Sequence, residues 1–140
     1  MIIVDTGVVA ELMRPSPYSL VRQWVRLQDR DELYTTTITV AEICHGIERL
    51  ADEPRRDVLR ATADELFSAF DERVLPFDRA AAAQYALVVT DRADARLPIG
   101  GMDAQIAAVC RARRATLATR DVAQFRQTGI DVVDPWRPYH

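Results

Sequence analysis

The run Met1-Ile2-Ile3-Val4, closed at once by Asp5, constrains the fold more than any other feature of the sequence. Four consecutive apolar residues with no alternation belong to a strand buried on both faces, the situation of a strand inside a parallel sheet covered by helices. The rest of the chain agrees. Asp5-Thr6 caps a short helix from about Val8 to Met13, and Pro15-Ser16-Pro17 breaks it. A second helix starts at Ser16 or Pro17, with Leu20, Val21, Trp24, Val25 and Leu27 at helical spacing. Leu33 to Thr36 reads as a strand by β-propensity. Helical periodicity resumes at Val40, Ile43, Ile47 and Leu50.

After the break at Asp52-Glu53-Pro54, Val58 to Phe70 forms an amphipathic helix. Arg73 to Phe77 follows as a short strand, which Pro76 places at a sheet edge. Asp78 caps an alanine-rich helix from Arg79 to about Thr90, and Asp91 to Leu97 is polar connection. A glycine-led helix then runs from Gly101 to Arg114, followed by a strand at Thr116–Thr119, a helical turn at Val122–Phe125 and a last strand at Ile130–Val133. Strands alternating with helices predict an α/β domain with a parallel sheet of about five strands and right-handed crossovers. At 140 residues the chain is expected to be one domain, residues 1–140.

Composition narrows the function classes. A formal net charge of −3 gives no global attraction to a polyanion, so such a substrate would need local basic groups or a metal. All 18 basic residues are arginine, which removes mechanisms that require lysine. Cys44 and Cys110 stand apart without zinc-ligand spacing, and suit a reducing compartment. No leader or apolar run of bilayer length is visible, so a cytoplasmic protein is expected.

Four acids fall at equivalent places. Asp5 closes the first strand, Asp121 follows the fourth, and Glu42 and Asp103 are expected in the first turns of their helices. In a parallel sheet, strand C-termini and the N-termini of the following helices share one edge, where ligands bind. Each acid also has a structural reading. Asp5 is a natural helix cap, Thr39-Val40-Ala41-Glu42 fits a capping box, and Asp103 and Asp121 are first-turn acids that favour a helix dipole. Asp103, however, precedes Ile106, Ala107 and Cys110 at helical spacing, so it heads a buried stripe, where a lone carboxylate is costly. Carboxylates gathered within a few ångströms need a counter-charge. A hard divalent cation, Mg²⁺ or Mn²⁺, suits an all-oxygen site and supports phosphodiester hydrolysis.

The segments MIIVDT, ITVAEICHGI, MDAQIAA and LATRDVAQF, with the ending VVDPW, resemble the motifs of PIN-domain proteins, most nearly the VapC group of toxin–antitoxin ribonucleases and its FitB-like branch. The similarity covers nearly the whole chain. It implies a three-layer α/β/α fold and a Mg²⁺- or Mn²⁺-dependent endoribonuclease toxin. It further implies a homodimer neutralised by a cognate VapB-like antitoxin, in a larger complex that binds operator DNA through the antitoxin. Carried over by motif, Asp5 and Asp103 are the direct metal ligands. Glu42 and Asp121 complete the pocket through waters or a second metal, and Thr6 and Thr119 support the rim. Where the family has Asp-Thr-Asn, this chain has Gly7 as the third residue, which puts activity in doubt.

Arg120 is placed to meet a substrate phosphate, whereas Arg111, Arg113 and Arg114 read as helix-end cations. His45 reads as a surface residue, and Trp136 with Tyr139 is expected to pack the last strand. The segment around Trp24, and that from Ile47 to Leu50, reads as core or as a groove for the antitoxin. Phosphoaspartate receivers and haloacid-dehalogenase-type phosphatases also put acids at strand ends, but this chain lacks their lysine and, at Gly7, the phosphatases' second acid. The remaining alternative is a weakly active or inactive partner-binding subunit of a DNA-binding repressor complex.

Overall fold

In the computed structural model, residues 1–138 are described. Five strands form an all-parallel sheet: β1 (Ile2–Val4), β2 (Leu33–Thr36), β3 (Val74–Leu75), β4 (Thr116–Ala118) and β5 (Val132–Val133). Their order across the sheet is β3-β2-β1-β4-β5. The chain therefore lays down β1, β2 and β3 toward one edge, then returns to place β4 on the other side of β1. The switch point lies between β1 and β4, where Ile2 pairs with Thr116 and Val4 with Ala118.

Six helices accompany the sheet: α1 (Thr6–Leu12), α2 (Ser19–Leu27), α3 (Thr37–Glu48), α4 (Glu53–Phe70), α5 (Arg79–Asp94) and α6 (Gly101–Arg113). Alternate residues of each strand face opposite ways. Ile3 and Leu117 pack with Val88 of α5 and with Ile106, Ala107 and Val109 of α6. Val4, Leu33 and Ala118 pack on the other face with α1, α2, Ile43 and Ile47 of α3, and α4. Helices thus cover both faces, which gives three layers, α/β/α. Ile3, Val4 and Leu117 are essentially inaccessible to water, each burial contributing about 2 kcal/mol before entropy is counted.

Several boundaries differ from expectation. The helix expected from Val58 starts at Glu53, because a proline in the first helical turn forfeits no hydrogen bond and Asp52 caps the backbone N–H of Arg55. The helix expected to end near Thr90 continues to Asp94, so half of the supposed polar connection is helical. Nothing between Thr90 and Asp94 breaks a helix. The second helix begins at Ser19, beyond both prolines. The edge strand stops at Leu75, so the edge position is right but Pro76 lies after the ladder rather than in it. The last strand is limited to Val132–Val133. α6 ends at Arg113, with Arg114 in the left-handed conformation (φ 53°) as its C-cap. Trp136 is half-buried and packs against the cluster that includes Val4 and Ala118, as expected, while Tyr139 lies outside the described residues. No helix among the described residues is long and apolar enough to cross a membrane.

Candidate active site

The acids meet at the C-terminal edge of the sheet, around the switch point. Asp5 leaves β1 and caps α1: its Oδ1 accepts from the backbone N–H of Thr6 at 2.8 Å. Its Oδ2 accepts from Thr119 Oγ1, one residue beyond β4, at 2.7 Å. The capping role and a role in the site are therefore combined in one residue. With only 6% of its surface exposed, Asp5 is a buried carboxylate without a basic partner among the described residues. Burial raises its pKa above the ordinary 3.8, against the two hydrogen bonds, and the nearby charges of Glu42 and Asp121 raise it further.

Asp103 sits in the first turn of α6, half-buried, at the head of the stripe formed by Ile106, Ala107 and Cys110. Its pKa is also raised, first by burial and then by the charges of Asp5, Glu42 and Asp121, while Arg92 opposes the shift. Asp103 therefore lies within reach of the charges of the other three acids, though the four are dispersed along the sequence.

Glu42 departs from expectation. Thr36, not Thr39, caps α3, its Oγ1 accepting from the backbone N–H of Thr39 at 3.1 Å. The helix therefore starts one turn earlier than the capping-box reading, and Glu42 lies in the second turn rather than the first. Its carboxylate accepts from Thr6 Oγ1 at 2.8 Å instead of reaching back to the backbone. Asp121 lies at the exposed end of the rim, and its side chain does not cap the short 3₁₀ turn that follows (Val122–Phe125). Its backbone N–H donates to Thr119 Oγ1 at 3.1 Å. Thr119 thus holds Asp5 by its carboxylate and Asp121 by its main chain.

Two arrangements escaped the sequence reading: the hydroxyl partners of Thr6, itself expected at the rim, and Arg92. Thr36, Thr39 and Thr6 form a line of hydroxyls ending on Glu42: Thr36 to Thr39 at 3.5 Å, Thr39 to Thr6 at 3.0 Å, then Thr6 to Glu42. The threonine-rich run from Thr35 to Thr39 was the only available signal, and β-propensity accounted for it. Arg92 is the second. Only 3% exposed, it donates to the carbonyls of Leu97 (2.5 Å), Pro98 (3.4 Å) and Arg126 (2.8 Å). It therefore joins the segment leading into α6 and Asp103 to the segment that leaves the 3₁₀ turn after Asp121. Nothing in a lone arginine near a helix end announces this.

Arg120 is exposed and lies over the Trp136 ring, 5.3 Å from its centroid. Arg111 and Arg113 are at the far end of α6, where they pair with Asp91 (3.3 Å) and Asp78 (3.8 Å), away from the rim as expected. His45 is exposed.

The donors around the rim are all oxygen, the set that hard divalent ions prefer. Among the described residues no group of three or more His, Cys, Asp or Glu side chains is placed to hold a metal ion. Glu42 is held toward Thr6, and Asp121 stands at the exposed end. Such an open rim fits an ion that keeps several waters and takes only one or two carboxylates directly, which is how Mg²⁺ is usually bound.

The chain is an α/β/α protein with a cluster of acids at the switch point of a five-stranded parallel sheet, and the comparisons with known proteins agree. The PIN domain family model matches residues 2–130. The VapC ribonuclease Y4jK of Sinorhizobium fredii (strain NBRC 101917 / NGR234) is 35% identical over 139 residues, covering 99% of each chain. Toxin FitB of Neisseria gonorrhoeae (strain ATCC 700825 / FA 1090) is 33% identical over 97% of this chain and 99% of its own. A solved structure of FitAB bound to an IR36 DNA fragment superposes with a TM-score of 0.92 at 33% identity, covering 100% of this chain and 99% of that one. The chain belongs to the PIN-domain family.

Proposed function

We propose that this protein is the toxin of a type II toxin–antitoxin system, a divalent-metal-dependent endoribonuclease neutralised by a cognate VapB-like antitoxin. The observation that carries the reading is the convergence of Asp5, Glu42, Asp103 and Asp121, with Asp5 and Asp103 desolvated and repelled by the other acids. The relatedness to a VapC ribonuclease and to a toxin supports it.

Asp5 and Asp103 would hold the metal directly, with Glu42 and Asp121 acting through waters or a second ion. Mg²⁺ or Mn²⁺ held there would supply Lewis acidity toward a phosphodiester and would lower the pKa of a bound water. The protein residues do the positioning. Thr119 fixes the Asp5 carboxylate by donating to Oδ2, leaving the remaining lone pairs free. Thr6 fixes Glu42. Arg120, beside Asp121, meets a substrate phosphate.

An apolar groove of about 810 Å³ runs beside α1, α3 and α4, lined by Met13, Ile43, Ile47, Leu50, Val58 and Leu59. Glu42 borders both this groove and the rim. An antitoxin seated there is positioned to block the acids. Trp24 and Ile47 belong to the core, while Leu50 and Ile47 also line the groove, so the two sequence readings of these segments are not exclusive. The solved structure of FitAB bound to an IR36 DNA fragment supports an assembly with an antitoxin that binds DNA; the assembly expected is one of toxin dimers that meets operator DNA through the antitoxin. The whole chain, residues 1–140, acts as one domain, and the free thiols Cys44 and Cys110 support a cytoplasmic setting.

The test is cleavage of a panel of structured RNAs by antitoxin-free protein in Mg²⁺. Cleavage that disappears in Asp5→Asn and in Asp103→Asn supports the enzyme. Complete inactivity of the parent on every RNA supports the partner-binding subunit, the reading that Gly7 favours.

A further inference from the structure

The acid rim repels the polyanion on which the proposed reaction acts, and the protein as a whole carries a net charge of −3. Substrate must therefore be held by cations close to the rim, and eight of the 18 arginines are already committed to partners within the protein. Arg14, Arg56, Arg60, Arg111, Arg113 and Arg137 are paired with carboxylates. Arg73 and Arg92 are turned onto backbone carbonyls.

A cleft of about 620 Å³ opens where the rim ends. It is lined by Arg120, Asp121, Gln124, Arg126, Asp134 and Arg137, among others. Asp121 belongs to both, so the cleft continues the rim toward β5. Arg120 and Arg126 are exposed and make no ion pair among the described residues. Arg120 is also ordered in advance: its guanidinium lies over the Trp136 ring at 5.3 Å, which occupies its face and leaves its edge N–H donors available. A planar fork of this kind matches phosphate geometry. Arg126 is fixed through its main chain, because its carbonyl accepts from the buried Arg92. Asp134 is engaged by Arg137 at 3.4 Å and by the backbone N–H of Trp136 at 2.9 Å, which reduces its repulsion toward an entering phosphate.

We infer that this cleft is a strand-holding subsite, in which Arg120 and Arg126 take backbone phosphates of single-stranded RNA flanking the bond that is cut at the rim. The inference rests on the ribonuclease reading for the identity of the strand, and it specifies the side of the rim along which that strand runs. Gln124, on the same wall, supplies a neutral donor and acceptor for a base or ribose.

The test separates holding from cutting. Asp103→Asn protein, which removes a proposed metal ligand, is titrated with a fluorescent single-stranded RNA over a range of salt in Mg²⁺, and the slope of log K against log[salt] is read. Each phosphate contact contributes about 0.7 to the slope for a single strand. Adding Arg120→Ala and Arg126→Ala is therefore expected to flatten the slope by about 1.4 and to weaken binding. Adding Arg120→Lys and Arg126→Lys instead keeps most of the slope. Adding Arg22→Ala and Arg26→Ala, which removes the same charge from exposed positions of α2, leaves it unchanged. An unchanged slope in the alanine pair at the cleft, an equal loss in the α2 pair, or tighter binding of duplex DNA through the same arginines overturns the inference. The ribonuclease reading is judged apart, on protein with all four acids. Cleavage with an unaltered slope removes the subsite alone, and a flattened slope without cleavage removes the enzyme and leaves the subsite.

Discussion

Thr119 Oγ1 donates a 2.7 Å hydrogen bond to Asp5 Oδ2, joining residues 114 positions apart at the adjacent ends of β4 and β1. Both partners are buried, Thr119 at 1% exposure, so water does not replace the bond if it is lost. The same hydroxyl accepts from the backbone N–H of Asp121, so one oxygen sets two of the four acids.

Thr119→Val is nearly isosteric but withdraws both interactions. A buried carboxylate left short of a donor costs about 1–3 kcal/mol, and we expect that loss in denaturant unfolding. RNA cleavage should fall with it, while Thr119→Ser restores both. Retention of full cleavage by the valine variant would show that Asp5 is positioned by Thr6 alone.

The raised pKa values of Asp5 and Asp103 fix a pH dependence. A carboxyl that holds its proton more tightly when folded stabilises the fold fully below its unfolded pKa, near 3.8, and loses that contribution as pH rises through the raised folded value. At neutral pH the metal-free protein therefore carries destabilising ionised acids. Asp103→Asn should melt higher than the parent at pH 7 without metal, and the difference should shrink as pH falls toward 4. Mg²⁺ should raise the melting temperature of the parent and do much less for the variant, because only binding to the folded state stabilises. Equal melting at pH 7 would mean that Asp103 is not under the strain assigned to it.

The parts of this molecule that follow from local rules were legible in the sequence. An apolar run ending in Asp5, a β-branched strand before Asp121 and the helical spacing behind Asp103 each placed an element, and the parallel order then placed the acids on one edge. Positions set by contacts between distant segments were not legible. Thr39 makes a plausible cap that would put Glu42 in a first turn, whereas Thr36, the last residue of β2, takes that role. The line of hydroxyls from Thr36 through Thr39 to Thr6 crosses between α3 and α1, so no window of sequence contains it. Arg92 gave no signal for the same reason: its three acceptors become neighbours only after folding.

Gly7 is the chain's departure from the family's first motif, and the space around it is open. A Cβ added there meets no heavy atom within 4 Å. Asparagine in the first turn of α1 is therefore sterically allowed and replaces a poor helix residue with a better one, a gain of a few tenths of a kcal/mol. We expect Gly7→Asn to fold at least as stably and to cut RNA faster than the parent, read as initial rates on one substrate at fixed Mg²⁺. A slower variant would show that the bare backbone at Gly7 is itself used by the substrate.

Arg92 is where fold and site depend on one side chain. A guanidinium at 3% exposure without a carboxylate partner among the described residues is tolerated because three carbonyls share its charge, and those carbonyls belong to the two segments that flank the rim. Arg92→Met keeps an apolar stem but leaves the carbonyls of Leu97, Pro98 and Arg126 without their donor, a cost of about 3 kcal/mol. A further effect separates this from simple destabilisation: the segment from Leu97 to Gly100 is freed at the entrance to α6, so Asp103 is held less firmly at the rim. Measured well below the melting transition, the variant should therefore need several times more Mg²⁺ for half-maximal binding, as read by calorimetry on protein alone. Arg92→Lys keeps a donor but not the planar fork that reaches three carbonyls, so it should restore stability and Mg²⁺ binding only in part. A variant that melts early yet binds Mg²⁺ like the parent would confine Arg92 to holding the loops together.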